Sequence, residues 1–265
     1  LVYNYRQVLT MTYYEKYHCI NCPVDKYCGT MVGAIKLCHS YDDSVAQKEN
    51  HHVLFLSKAT TAEEGAVYIT SIADKLGVEY HKGSIDDVLD RFYQTALPEQ
   101  PDYVVRMTSD CPLIDPEIID LTIKTCIEGG YDYASNTLIP TWPDGMDVEV
   151  FKFSALERAW KEARLQSEHE HVTPYIKNNS TVLGGSIFNS FNVVAPVDRS
   201  ELRMTIDEPR DFELIKTLVE NLGTEKRCSD YVEWLDAHPE VKAINSSIMR
   251  NEGYAKSLAN DRTIK

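Results

Sequence analysis

From residue 53 onward the apolar positions switch repeatedly between a strand-length run and a helical period. Val53-Leu-Phe-Leu-Ser57 is a short apolar run of strand length, and Thr61 then opens a helical stretch to Leu76, with Glu64 in capping-box position and Gly77 as its stop. Val78 to Tyr80 predicts a brief strand, and Ser84 is the expected cap of a helix whose Val88, Leu89, Phe92 and Ala96 share one face before Pro98. Tyr103 to Thr108 predicts the clearest strand. After it comes a helix that Asp115 caps, Pro116 begins and Gly129 ends. Further strands are expected at Tyr131 to Ser135, Val148 to Lys152 and Leu202 to Ile206. Helices follow Ser154, with Glu157 completing a capping box, and Glu208, ending at Gly223. Leu156 and Trp160 fall on one helical face and read as core, while Tyr231, Trp234 and Leu235 dock a C-terminal helix. Strands separated by helices of this length predict an α/β fold: a mostly parallel sheet with helices on both faces.

The 52 residues before this pattern differ in kind. They hold Cys19, Cys22, Cys28 and Cys38, four of the eight histidines and seven of the sixteen tyrosines, and they balance five basic residues with five acidic ones. The whole net charge of −14 therefore lies in residues 53–265, a field that repels a nucleic-acid backbone and favours a small-molecule substrate. This shift predicts an anomalous Cys/His/Tyr-rich segment at 1–52 and one domain at 53–265. Within the anomalous segment, Met31 to Leu37 has the make-up of a strand. No run of eighteen apolar residues and no signal-peptide core occurs, and seven thiols without a secretory segment point to a reduced, cytoplasmic setting. Cys19-x-x-Cys22 with Cys28 and Cys38 offers enough ligands for zinc. No second knuckle follows it, so coincidental cysteine richness stays open beside that reading.

Two segments repeat one pattern: Arg106-Met-Thr-Ser-Asp110-Cys-Pro112 and Arg203-Met-Thr-Ile-Asp207-Glu-Pro209. In each, an apolar strand ends in an aspartate and a proline that stops the ladder. Ligands of open α/β sheets sit outside the carboxyl ends of the strands, and two carboxylates converging there suit Mg²⁺, which fills the rest of its shell with water and phosphate. Alternatively both aspartates simply cap the following turns. Cys111 reads as packing, because no histidine adjoins it.

Seven motifs in order carry a resemblance to a known family: Ala59-Thr60-Thr61, Gly83 to Arg91, Arg106 to Pro116, Ser135-Asn-Thr137, Pro143 to Val150, Ser167 to Pro174 and Arg203 to Asp211. Together they resemble the cytidylyltransferases of the spore-coat polysaccharide type, relatives of the synthetases that activate KDO and sialic acid with CTP, over about residues 53–258. The resemblance implies a fold of the nucleotide-diphospho-sugar transferase type (GT-A, Rossmann-like) and a homodimer. It implies transfer of CMP from CTP to a sugar, a keto-sugar acid for a surface polysaccharide, with release of pyrophosphate. Asp110 and Asp207 would hold Mg²⁺. Ala59, Thr60, Thr61, Gly83, Ser84, Asp87, Arg91 and Ser109 would approach the nucleotide. Asp87 also fits a plain first-turn acid, and Arg91 an i,i+4 ion pair with it. On the sugar side stand Arg106, Asn136, Asp144, Gly145, Asp147, Glu149, His169 and His171. Alternation sets Asp147 and Glu149 on one face, either solvent or a hydroxyl-binding wall. His169-x-His171 on one strand would need a third ligand to hold metal, so contact with the sugar or a dimer partner is expected instead.

The first segment departs from the family pattern. Nothing in it matches a glycine- and arginine-containing loop of the form Q-A-R-M-x-S-x-R-L-P-G-K, whose amides and cations would clamp the triphosphate. A changed reading frame or a spliced gene is one explanation. Two other functions therefore stand beside cytidylyl transfer: a glycosyltransferase or other-base nucleotidyltransferase on the same sheet, and an inactive remnant or sugar-binding module. A glycosyltransferase is expected to show Asp-x-Asp where this chain has Asp110-Cys-Pro.

Overall fold

The computed structural model describes residues 31–37, 52–57, 81, 83–84, 86–108 and 110–264. The expected helix from Thr61, the strand at Val78 to Tyr80 and the N-terminal cysteines lie outside the described residues. Among the described residues six strands form one sheet: β1 (Met31–Leu37), β2 (His52–Ser57), β3 (Tyr103–Thr108), β4 (Tyr133–Ser135), β5 (Glu149–Lys152) and β6 (Ser190–Asn192), in the order β2-β1-β3-β5-β4-β6. The described helices are α1 (Val88–Ala96), α2 (Pro116–Glu128), α3 (Phe153–Glu162), α4 (Gln166–His171), α5 (Pro174–Asn178), α6 (Pro209–Leu222), α7 (Cys228–Ala237), α8 (Pro239–Lys242) and α9 (Glu252–Ala259).

The sheet is mixed, which corrects the mostly parallel expectation. β1 runs antiparallel to both β2 and β3, β5 antiparallel to both β3 and β4, and β4 with β6 pairs in parallel. It follows that β2, β3, β4 and β6 all point one way, and β1 and β5 are reversed strands set between them. The helical crossover α2 joins β3 to β4, two co-directional strands, as crossover logic requires. β5 instead returns from β4 through the helix-free residues 136–148 and slots in against the grain. β1, from the segment set apart by its composition, occupies the position between β2 and β3, with Ala34 opposite Arg106.

Strand alternation sends Val105, Met107, Val148 and Val150 into a core with α2, α6 and α7. Val104, Tyr133 and Phe151 face the opposite core with α1, α3 and α5. Helices therefore cover both faces, as expected. β3 and α2 have the bounds that the sequence predicts: Asp115 Oδ1 accepts from Glu117 N at 3.0 Å, Pro116 starts the helix and Gly129 ends it. Two caps shift. Asp87, not Ser84, caps α1 by accepting from Asp90 N at 2.8 Å, and Ser84 Oγ takes Asp87 N one turn earlier. α3 starts at Phe153, so Ser154 lies inside its first turn.

Leu202 to Ile206 is not a sheet strand. Its backbone bonds two loops instead: Asp144 N to Leu202 O at 2.9 Å, Met204 N to Asp144 O at 2.7 Å and Ile206 N to Asp110 O at 2.8 Å. It is extended because these loops line it, and this arrangement carries Asp207 to the side of Asp110.

Candidate active site

A cavity of about 390 Å³ opens at the end of β3. β3 and its turn supply Arg106, Thr108 and Asp110; the loop before β5 supplies Asp144 and Asp147; β5 supplies Glu149. Thr173 precedes α5 and Lys177 lies in its last turn, Asp207 comes from the twin motif, and Tyr254 and Ser257 from α9. Of the residues that the sequence marked, Arg91, Arg106, Asp110, Asp144, Asp147, Glu149, His171 and Asp207 line this space.

The two motif aspartates meet here. Burial and then the neighbouring charge of Asp207 push the Asp110 carboxyl up to about 6, while hydrogen bonding from Thr108 and the Arg106 charge pull the other way. Asp207 is half-exposed, and its Oδ2 accepts from Arg203 Nη2 at 2.7 Å. The capping alternative fails for Asp110, because Asp115 caps α2. At the other motif Asp211 plays the terminal role: its Oδ2 accepts from the backbone N of Asp207 and Glu208 at 3.1 and 3.0 Å.

The motif arginines do different work. Arg203 is buried and divides its donors among Asp144 (2.7 Å), Asp207 and Asp211 (2.8 Å from both Nε and Nη2). Burial disfavours its charge, but these carboxylates more than offset that and raise its pKa. Arg106 lies opposite Glu149 in the sheet and pairs with it, Nη1 to Oε2, at 2.5 Å. Tyr133 donates to the other oxygen, Oε1, at 2.6 Å. Burial pushes Glu149 up, but Arg106 and hydrogen bonds from Tyr133 and Thr173 outweigh it and leave the group below its ordinary value.

Asp147 is pinned by Arg250 Nη2 at 2.6 Å, and Arg250 Nη1 also holds the Trp142 carbonyl at 2.9 Å. Burial, opposed by Arg250 and reinforced by Asp144, Asp110 and Glu149, pushes Asp147 up to about 7. Burial likewise raises Asp144 against the pull of Arg250 and Arg203. His171 Nε2 lies 3.0 Å from Ser257 Oγ, and its ring meets Tyr254 edge-on, tying α4 to α9 across the cavity wall.

Asn136, Gly145, His169 and Gly83 do not line the cavity and brace its frame. Asn136 is buried: its Nδ2 donates to the Met146 carbonyl at 2.5 Å and its Oδ1 accepts from Val148 N at 2.9 Å, bracing the loop before β5. Gly145 has φ +98°, and a Cβ there would stand 2.4 Å from the Met204 carbonyl oxygen. His169 is fully buried, with Nδ1 2.8 Å from Asp87 Oδ1, so it locks α4 to the start of α1. His169 and His171 sit on a helix, not a strand, and two residues apart there point to nearly opposite sides, so they make no metal pair. Gly83 packs against Arg91, since a Cβ would meet its Cγ at 2.6 Å. Arg91 is itself buried, and burial lowers its pKa against the pull of Asp87. Ala59, Thr60, Thr61 and Ser109 lie outside the described residues. Cys111 is buried, and burial pushes its thiol well above the ordinary value, in keeping with packing.

The sequence reading missed Arg203, Thr173, Lys177, Arg250, Tyr254 and Ser257. Two of them stood inside quoted motifs without being marked: Thr173 lies within Ser167 to Pro174, and Arg203 heads the second Arg-Met-Thr-x-Asp string, four residues before Asp207 and eight before Asp211.

The donor chemistry fits a hard divalent cation. Among the described residues no group of three or more His, Cys, Asp or Glu could hold a metal ion. Asp110 and Asp207 are the two carboxylates that could hold such an ion, with water and phosphate oxygens completing its shell. Among the described residues no helix is long and apolar enough to cross a membrane.

Residues 45–237 match a family model described as Cytidylyltransferase. An uncharacterized protein of Methanocaldococcus jannaschii is 36% identical over 199 residues, which are 74% of this chain and 78% of that protein. The spore coat polysaccharide biosynthesis protein SpsF of Bacillus subtilis is 29% identical over 188 residues, 69% of this chain and 75% of SpsF. Among solved structures, a cytidylyltransferase from Leptospira borgpetersenii serovar Hardjo-bovis superposes with a TM-score of 0.64 at 33% identity, covering 72% of this chain and 79% of that one.

Proposed function

The chain belongs to the cytidylyltransferase family, and from that premise we propose that it transfers CMP from CTP to a sugar, a keto-sugar acid, and releases pyrophosphate. A sugar hydroxyl oxygen forms a bond to the α-phosphorus and gives up its proton to solvent, while the bond from that phosphorus to the oxygen bridging to the β-phosphate breaks and pyrophosphate leaves. The observation that carries the reading is the convergence of Asp110 and Asp207 at one end of the cavity, close enough that the second raises the pKa of the first. A bound Mg²⁺, held by these two carboxylates, would supply charge neutralisation for the phosphate oxygens. The protein's own contribution is placement. Arg203 aims Asp207, Arg250 holds Asp147 and ties the Trp142 carbonyl to the wall, and the packing of His171 on Tyr254 sets α9 beside the space for the acceptor.

A role in making a surface polysaccharide is supported by the similarity to SpsF, whose name states that process. A cytoplasmic location and a homodimer belong to the same proposal, and light scattering on the purified chain reads the second directly.

The test is a thermal-shift titration with CTP, UTP, GTP and ATP, each with and without Mg²⁺, followed by pyrophosphate release with a panel of sugar acids. A ligand that binds only the native state raises its stability. The expected result is a Mg²⁺-dependent shift selective for CTP, with pyrophosphate release that requires the sugar. No shift with any nucleotide, from a protein that melts cooperatively, would overturn the reading.

A further inference from the structure

An eight-residue helix is marginal in water and is normally held by an apolar face packed on the core. Helix α9 has no such face. Among its described side chains none is buried: Glu252, Tyr254 and Ser257 are half-covered, and Ala255, Leu258 and Ala259 face solvent, Leu258 at 47%. Polar contacts hold it instead. Just before it, Arg250 reaches Asp147 and the Trp142 carbonyl. Within it, Ser257 Oγ stands 3.0 Å from His171 Nε2 and donates to Glu170 Oε2 at 3.2 Å. Just after it, Asp261 accepts from Ser167 N at 3.0 Å and from its Oγ at 2.6 Å, and Ile264 N donates to Arg164 O at 2.9 Å. A helix fastened at both ends, kept out of the core and lining the cavity with Tyr254 and Ser257 is placed for what enters that cavity.

Gly253, in the first turn of α9, lines the same space. Every other glycine whose surroundings are described has either a positive φ or a neighbour within 2.6 Å of where a Cβ would stand. Gly253 has neither, and a Cβ there would meet no described atom within 4 Å. Alanine forms helix better than glycine, so the fold itself gives no reason for a bare backbone at this position. The room left over Gly253 is room for a ligand. Its class follows from charge: the cavity-lining residues of α9 are Glu252, Gly253, Tyr254 and Ser257, none of them positive, and Glu170 adjoins Ser257. Phosphate is repelled from such a surface, whereas sugar hydroxyls donate to carboxylates and exchange hydrogen bonds with a serine hydroxyl.

We propose that α9 is a specificity-determining wall for the body of the acceptor sugar: the bare backbone at Gly253 admits a ring substituent in close approach, and Ser257, beside His171 and Glu170, binds one of its hydroxyls. The inference rests on the transfer reading and deepens it. Gly253 and Ser257 are four residues apart and so share one helical face, with Ser257 Oγ 3.3 Å from the Gly253 carbonyl oxygen. The ring of Tyr254, edge-on to His171, flanks that face.

The test measures pyrophosphate release with CTP, Mg²⁺ and either N-acetylneuraminic acid or 3-deoxy-manno-octulosonic acid, in wild type and in variants of α9. Gly253→Ala should keep or raise Tm, because nothing described in the chain opposes the added methyl group. It should nevertheless raise KM for the turned-over acid by about tenfold, the scale of one misfitting methyl group, with the Kd for CTP changed less than about twofold. Gly253→Val should raise that KM further. Ser257→Ala should lower kcat/KM for the acid and make no difference for the one monodeoxy analogue that lacks the hydroxyl Ser257 binds. A merely structural link from Ser257 to His171 would penalise every analogue alike, and that result overturns the hydroxyl contact. A loss of CTP affinity matching the loss for the acid assigns α9 to the nucleotide and overturns the wall. An unchanged KM in Gly253→Ala overturns this inference and leaves cytidylyl transfer standing, while no turnover of either acid with CTP removes both.

Discussion

Asp110 shows how one buried carboxylate can weaken the fold that holds it. Its carboxyl is held near 6, above its ordinary value of 3.8, first by burial and then by Asp207. Between those two values the folded state binds more protons than the unfolded chain. Stability therefore falls as pH rises from about 4 to about 6, and the full penalty stands above that. Asp110→Asn removes the penalty: the variant should melt higher than wild type at pH 7 to 8, with the gain fading near pH 4, and should lose turnover. Mg²⁺ added with CTP should then raise the melting temperature of wild type beyond CTP alone, and should add nothing in the variant; equal shifts would remove Asp110 from the proposed metal site. Asp110 and Asp207 were legible because a repeated Arg-Met-Thr-x-Asp string announces them. Asn136, Gly145 and His169 were not, because their partners, Met146, Met204 and Asp87, are brought to them only by the fold.

At the scale of elements, Gly145 is where two loops and the site depend on a single backbone conformation. Its positive φ and the carbonyl 2.4 Å from any added Cβ leave no room for a side chain, and its neighbour Asp144 exchanges backbone bonds with Leu202 and Met204. Gly145→Ala should cost about 2 kcal/mol or more through strain and loop displacement, read as a lower midpoint in chemical denaturation. It should also weaken nucleotide-dependent stabilisation, since the segment after Met204 carries Asp207. Local chemistry made β3 and α2 readable to the residue: an apolar run between turns, an aspartate cap, a proline start and a glycine stop. Strand direction is a different kind of fact. It is set by which strands become neighbours, and β1 and β5 carry nothing in their own residues that marks them as reversed. The Leu202 to Ile206 run, apolar enough for a strand, found loops and not a sheet edge beside it.

For the whole molecule the dominant fact is charge. The net −14 resides in the part of the chain that bears the cavity, and the cavity wall is itself acid-rich. A nucleotide triphosphate approaching this field is repelled, so moderate salt should help and not hinder. Raising ionic strength from about 0.01 to 0.1 M shortens the screening length from roughly 30 to 10 Å, and kcat/KM for the nucleotide should rise over that range at saturating Mg²⁺. A fall with salt would mean that a basic surface guides the nucleotide.

The hold of Arg203 on Asp207 also sets an order of events. A carboxylate that already carries a guanidinium at 2.7 Å has given much of its negative potential away, and its partner Asp110 near pH 6 is still shedding a proton. Such a pair makes a poor resting place for a lone ion. It becomes a good one when the ion arrives already wrapped in phosphate oxygens, so under the proposed two-aspartate site a metal is expected to enter as cargo of the nucleotide, with free Mg²⁺ leaving the pair largely empty between turnovers.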